Sequence, residues 1–184
     1  MTRHAIAARV LAAASLLFSC RPAPDTPNMI AADLINEFPR AECRPVSACE
    51  ALAGPGGLSL RVASPSRVTW TLPLPHDGRF ETTVSALTNA RVRFRVGVSD
   101  ERTYEGLSEL VLAPPDGPRP IVVDLSAYAG RKWSLFYHPD RITWRLTLSA
   151  DAMGGVPGVA MWGAPRVMTT QAGAVEYLRR TGRR

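Results

Sequence analysis

The sequence predicts an all-β fold, an antiparallel sandwich or barrel, on three observations. Apolar residues recur at every second position in several short segments, the spacing that lines one face of a strand. Sixteen prolines and fourteen glycines fall between and around those segments, too often for long helices. Eight or nine such segments follow one another with turn signals between them, which suits a two-layer or closed sheet. At 184 residues the chain has room for one domain with a real core.

The first element is not part of that domain. Residues 1–9 carry Arg3, His4 and Arg9 with no acid, and 10–18 (VLAAASLLF) is an uncharged stretch, apolar but for Ser15. It is too short to cross a bilayer as a helix of ~20 residues. With the small Ser19 it has the layout of a secretory signal, residues 1–19. LFSC at 17–20 resembles the lipobox of bacterial lipoproteins, with Phe18 bulkier than usual at its place. The resemblance implies cleavage before Cys20 and a lipid (palmitate-type acyl) anchor at that residue. The protein would then be exported and held at the membrane of the bacterial cell envelope. Arg21 stands where an aspartate retains enterobacterial lipoproteins in the inner membrane, which favours the outer one. Two alternatives stay open: a cleaved signal that leaves a free thiol, and a catalytic cysteine. The second is weighed because CRPAP begins like the sulfatase motif Cys-x-Pro-x-Arg, but Pro24 stands where the arginine belongs. CRPVS at 43–47 fails in the same way at Ser47. Residues 20–27 read as an extended, proline-rich tether.

A short helix is expected over NMIAADLINEFP, with Met29, Ile30, Leu34, Ile35 and Phe38 on one side, Asn28 as its cap and Pro39 as its end. Cys43 and Cys49 follow. In an exported chain paired cysteines are expected to bridge; the alternative is two unpaired apolar residues, and zinc lacks a histidine cluster. AGPGG at 53–57 leads into the strand pattern LSLRV, so it is a turn and not a phosphate cradle. Val68, Trp70, Leu72 and Leu74 alternate with polar residues, and PHDG at 75–78 signals a hairpin with Asp77-Gly78 at positive φ. RFETTVSAL, then ARVRFRVGV, LSELVLA, IVVDL, KWSLFYH, ITWRLTLSA and VAMWGAPRV continue the series. In the second of these, Val92, Phe94, Val96 and Val98 share one face, with Arg91, Arg93 and Arg95 on the other.

VDLSAYAGRKWSLFYH, ITWRLTL and AMWGAPRV together look like the jelly-roll sandwiches of the galactose-binding-like superfamily. DLINEFPRAE is similar to a segment found before such sandwiches in bacterial exported proteins, some of which continue into a sulfatase-like catalytic domain. The resemblance covers residues 28–168 and implies the fold more than any ligand. Residues 169–184 are expected to form a basic, solvated tail.

The charge balance narrows the function. Setting aside Arg3, Arg9 and the four arginines of the last six residues leaves sixteen basic against sixteen acidic residues over 20–178. A neutral body argues against nucleic acid. His76 and His138 lie in turn sequences, HDG and HPD. Gly-x-Ser-x-Gly, His-Glu-x-x-His and the P-loop pattern are all missing. Asp100, Glu101 and Glu105 form the densest acidic cluster, read as a polar loop. A structural calcium there or near Asp151 is conceivable on ligand type, but the spacing does not demand it. No cofactor and no catalytic residue is expected. Trp70, Trp133 and Trp144 each alternate in phase with apolar neighbours and belong to the core, and Trp162 has a packing role in the resembling motif. Tyr104 and Tyr128, both in connections, remain as exposed aromatics for stacking. Arg91, Arg93 and Arg95 would offer donors to the carboxylates or sulfates of an acidic glycan, or else only keep one sheet face soluble. The expected function is a non-catalytic module at the envelope that binds carbohydrate or a partner protein. The alternative is the accessory domain of a sulfatase-like enzyme.

Overall fold

The computed structural model describes residues 26–54, 57–128 and 143–182. The expected signal segment, Cys20 with its expected lipid, most of the expected tether, the KWSLFYH segment with Trp133 and His138, and the last two arginines lie outside the described residues.

Two antiparallel sheets face each other. Among the described residues the strands are β1 (Met29–Asp33), β2 (Glu42–Arg44), β3 (Cys49–Gly54), β4 (Gly57–Ser64), β5 (Ser66–Leu72), β6 (Arg79–Ala86), β7 (Val92–Ser99), β8 (Tyr104–Leu112), β9 (Arg119–Asp124), β10 (Trp144–Ala152) and β11 (Gly158–Thr169). One sheet runs β3-β4-β11-β6-β9, with β1 added against the end of β11; the other runs β2-β5-β10-β7-β8. The expected all-β antiparallel sandwich is therefore observed.

Period-two alternation explains why the sheets close on each other. Val92, Phe94, Val96 and Val98 of β7 and Leu146, Leu148 and Ala150 of β10 are buried, as are Leu60, Val62, Val84 and Trp162 from the opposite sheet. Phe94 and Trp162 meet edge to face at 5.2 Å across the two sheets. Each large apolar side chain so buried contributes about 1.5–3 kcal/mol. Trp70 is also core, and its indole N–H donates to the carbonyl of Leu34 at 3.0 Å.

Three expectations are corrected. The leading helix is instead strand β1 followed by a turn. Met29 and Ile30 pair with Thr169 and Met168 of β11, so the backbone donors that a helix would satisfy internally go to a neighbouring strand. Asp33 then closes the turn, its Oδ1 accepting from the N–H groups of Ile35 (3.0 Å) and Asn36 (3.3 Å). PHDG does turn the chain, with Gly78 N–H donating to the Pro75 carbonyl at 3.0 Å, but it links β5 to β6 in the other sheet and Gly78 has no positive φ. No hairpin forms there.

The end of the chain differs too. Helix α1 (Gln171–Thr181) occupies most of the expected basic tail, with Ala174 and Tyr177 buried. Thr170 caps it by accepting from Gly173 N–H at 3.2 Å, and Gly182 ends it in the left-handed region. Asp77 fixes this corner, accepting from the hydroxyls of Thr169 and Thr170 and from the Thr170 N–H (3.0 Å). Burial pushes the Asp77 carboxyl up, but these hydrogen bonds outweigh it and hold the group below its ordinary value. Arg180 donates to the Leu74 carbonyl at 3.3 Å and Arg179 pairs with Glu176 at 2.9 Å, so neither is a frayed end. Among the described residues no helix is long and apolar enough to cross a membrane.

Cys43 and Cys49 form a disulfide with Cα atoms 6.3 Å apart. It joins β2, the edge of one sheet, to β3, the edge of the other.

Candidate functional site

Strand register sets out the outer face of the β2-β5-β10-β7-β8 sheet as three rows. The first is Arg44, Arg67, Ser149, Arg95 and Glu109; the second is Glu42, Thr69, Thr147, Gly97 and Gly106; the third is Thr71, Arg145, Ser99 and Tyr104. The middle row is built of small residues at its centre and is flanked by long side chains on both sides. A row of short residues between two rows of long ones is a trough by construction. The structure has a groove of about 300 Å³ there, lined by Arg44, Arg67, Thr69, Tyr104, Arg145 and Thr147 among others.

Its floor is polar and ordered. The hydroxyls of Thr69 and Thr147 share a hydrogen bond at 3.1 Å, and both residues are buried although they point away from the core. Tyr104 forms one side. Its phenol lies over Gly97: a Cβ at residue 97 would come within 2.5 Å of Tyr104 Cζ and 2.7 Å of the Glu105 carbonyl. The residue as a whole still keeps 52% of its surface exposed. Gly97 thus has a steric reason to be glycine, and the pairing of β7 with β8 shifts register at that point.

The rim carries strain and charge. Glu101 adopts φ 78, in the left-handed region, which costs a non-glycine residue about 1–3 kcal/mol. The turn around it holds it there: Asp100 Oδ1 accepts from the N–H groups of Thr103 (2.8 Å) and Arg102 (3.0 Å), and Ser99 Oγ accepts from Glu101 N–H (3.1 Å). Those two donors keep the Asp100 carboxyl below its ordinary value. Glu42 bridges Arg145 at 2.8 Å and Arg44 at 3.7 Å.

The residues singled out from the sequence are dispersed. Tyr104 lies in the groove. Tyr128 is buried at 5% exposure and packs edge to face on Trp144 at 5.3 Å, so it is core and offers no exposed ring. The arginine row is broken up: Arg91 is exposed just before β7, Arg93 pairs with Glu109 at 3.4 Å, and Arg95 pairs with Asp151. The Asp151 hydrogen bond raises the Arg95 pKa, the mark of an engaged guanidinium. Asp100 and Asp151 are likewise occupied, and among the described residues no group of three metal-ligating side chains converges. His76 is exposed on its turn. Gly97, Thr69, Thr147, Arg67 and Arg145 went unmarked in the sequence; only Gly97, a glycine inside a strand pattern, carried a local signal.

The outer face of the other sheet offers less. Its shallow hollow surrounds Glu81, which is already paired with Arg79 at 2.5 Å and Arg166 at 3.3 Å.

No protein-family model and no curated protein matches the sequence. Solved structures do. TmCBM61, bound to β-1,4-galactotriose, superposes with a TM-score of 0.51 at 9% identity over 71% of this chain and 88% of that one. The xylan-binding domain CBM22-1 of Paenibacillus barcinonensis Xyn10C gives 0.49 at 10% identity, over 79% and 97%. The first likeness shows the fold, a jelly-roll β-sandwich.

Proposed function

We propose that this protein is a non-catalytic carbohydrate-binding module whose ligand lies in the groove over Thr69 and Thr147. The observation that carries the proposal is Tyr104, laid over Gly97 with half of its surface open beside a floor of buried hydroxyls. A sugar ring has an apolar face and a rim of hydroxyls. An aromatic ring beside polar groups that both donate and accept is complementary to it. TmCBM61 holds a galactotriose on the same fold; that likeness supports the architecture, while the groove supports the function. In the same reading Cys20 carries a lipid, residues 20–27 are the tether, and the module displays its groove at the cell envelope.

The test is affinity electrophoresis of the purified protein in gels containing neutral and acidic polysaccharides. Retardation by at least one glycan class that is lost in Tyr104→Ala is the expected result. Free migration in every gel, or retardation that Tyr104→Ala leaves intact, would remove the groove from consideration. For the anchor, Cys20→Ala should abolish labelling by a fatty-acid analogue in a bacterial host, and persistent labelling would refute it.

A further inference from the structure

The groove has a charge that nothing in the described structure answers. Arg93, Arg95 and Arg145 each have a carboxylate partner. Arg67 has none: it is exposed on β5 and makes no ion pair or hydrogen bond among the described residues. It stands directly opposite Arg44 in the pairing of β2 with β5. Like charges facing each other across strands are destabilising, so this arrangement is not explained by the stability of the sheet. Glu42, the one carboxylate paired with Arg44 among the described residues, lies closer to Arg145 (2.8 Å) than to Arg44 (3.7 Å).

The two arginines also stand at a junction. Both line the groove, and both line a second hollow of about 350 Å³ that continues along the sheet past Arg95 and Ser149. The carboxylate of that hollow, Asp151, is already bound by Arg95. Arg95 Nε is buried there without a hydrogen-bond partner. The junction therefore has spare positive charge: Glu42 is held by Arg145 and Asp151 by Arg95, while Glu101 lies at the groove's rim and makes no ion pair with Arg67 among the described residues.

We propose that Arg67, with Arg44, forms an anion subsite that takes the oxyanion of a charged sugar, a carboxylate or a sulfate ester, while a neighbouring ring of the same glycan lies against Tyr104. This rests on the groove reading and assigns its ligand class, an acidic glycan. Guanidinium groups suit it because their forked donors match the paired oxygens of either anion.

The experiment measures affinity of the purified protein for a neutral β-1,4-galactan, for polygalacturonate and for a sulfated galactan, each at low and high salt. An acidic polymer should bind roughly ten- to hundredfold tighter than the neutral one, the range for charge-assisted hydrogen bonds. Arg67→Ala should bring it down to the neutral level and flatten the salt dependence, whereas Arg67→Lys should keep part of the gain. The polymer that responds tells carboxylate from sulfate. Arg119→Ala removes one exposed charge from the other sheet and should change nothing. Equal losses in Arg119→Ala and Arg67→Ala would mean general charge attraction and overturn the subsite, as would an Arg67→Ala protein that binds like the wild type. In that second case a loss in Tyr104→Ala would leave the groove reading standing. A loss in Arg67→Ala but none in Tyr104→Ala would do the reverse. Absence of binding to all three polymers would overturn both. Unfolding temperatures of the variants exclude misfolding, since Arg67 has no partner whose loss would destabilise the sheet.

Discussion

Replacing Gly97 with alanine tests whether Tyr104 is seated where the groove requires it. The added methyl group would sit 2.5 Å from Tyr104 Cζ and 2.7 Å from the Glu105 carbonyl oxygen, both well inside contact distance. The two neighbours differ in how they can respond. Tyr104 is half exposed and can swing off the sheet, whereas the carbonyl belongs to β8 and moves only with its strand. Gly97 is not at positive φ, so the cost is steric and not conformational. Overpacking of this kind costs roughly 1–3 kcal/mol, which lowers the Tm of a domain this size by roughly 3–10 °C. Thermal unfolding followed by circular dichroism measures it, and the near-ultraviolet tyrosine signal should weaken as the ring leaves its seat. In a Tyr104→Ala background the same substitution should cost less, because only the carbonyl clash remains. A Gly97→Ala protein with unchanged Tm and unchanged glycan affinity would refute the placement of the ring. So would a cost that is identical in both backgrounds.

Three further outcomes are expected. Asp77→Ala should destabilise the protein by about 1–3 kcal/mol, through the hydroxyl and N–H donors of Thr169 and Thr170 left unpaired. Because the folded pKa of Asp77 lies below its unfolded value of 3.8, its stabilisation is fully present above that value and is lost as pH falls through the folded pKa. Acid titration of the Tm should therefore show a shallower fall in Asp77→Ala than in the wild type. Replacing both Cys43 and Cys49 with alanine should cost about 2 kcal/mol for so short a loop, read from urea unfolding. Trp70→Phe should lose about 1 kcal/mol with the hydrogen bond to Leu34, on top of its packing loss, and should loosen the turn after β1 in hydrogen exchange.

The strands that were legible in the sequence are those with one face against the core. In β7 and β10 every second residue is apolar, and the alternation alone separates Phe94 and Leu148 from Arg95 and Ser149. β1 was not legible. Met29, Ile30, Leu34 and Ile35 have a spacing that a helix and a strand followed by a turn both satisfy, and the choice was made by β11, nearly 140 residues away. α1 was hidden behind its arginines; what docks it is Tyr177 together with a clamp from Asp77. The groove was legible only at Tyr104 and, for a reader alert to glycine inside a strand, at Gly97. Its rows join Glu42, Thr69, Thr147 and Gly97 from four strands, and local pattern does not contain their register. The same ignorance of register made the arginines at 93 and 95 look available, because Glu109 and Asp151 reach them from neighbouring strands.

The disulfide has a consequence beyond the energy of closing a loop. Cys43 lies in the three-residue strand β2, between Glu42 and Arg44, which form one wall of the groove. β2 is an edge strand held along one side by β5. A copy of the chain that folded where thiols stay reduced would keep the sandwich, whose core the two cysteines only border, yet leave the groove with one loose wall. The compartment in which the chain matures would thus help set the shape of the groove and, under the proposed function, how well it takes a glycan. Material for glycan assays accordingly has to come from an oxidising secretory route, and thiol titration of each preparation would report how much of it is competent.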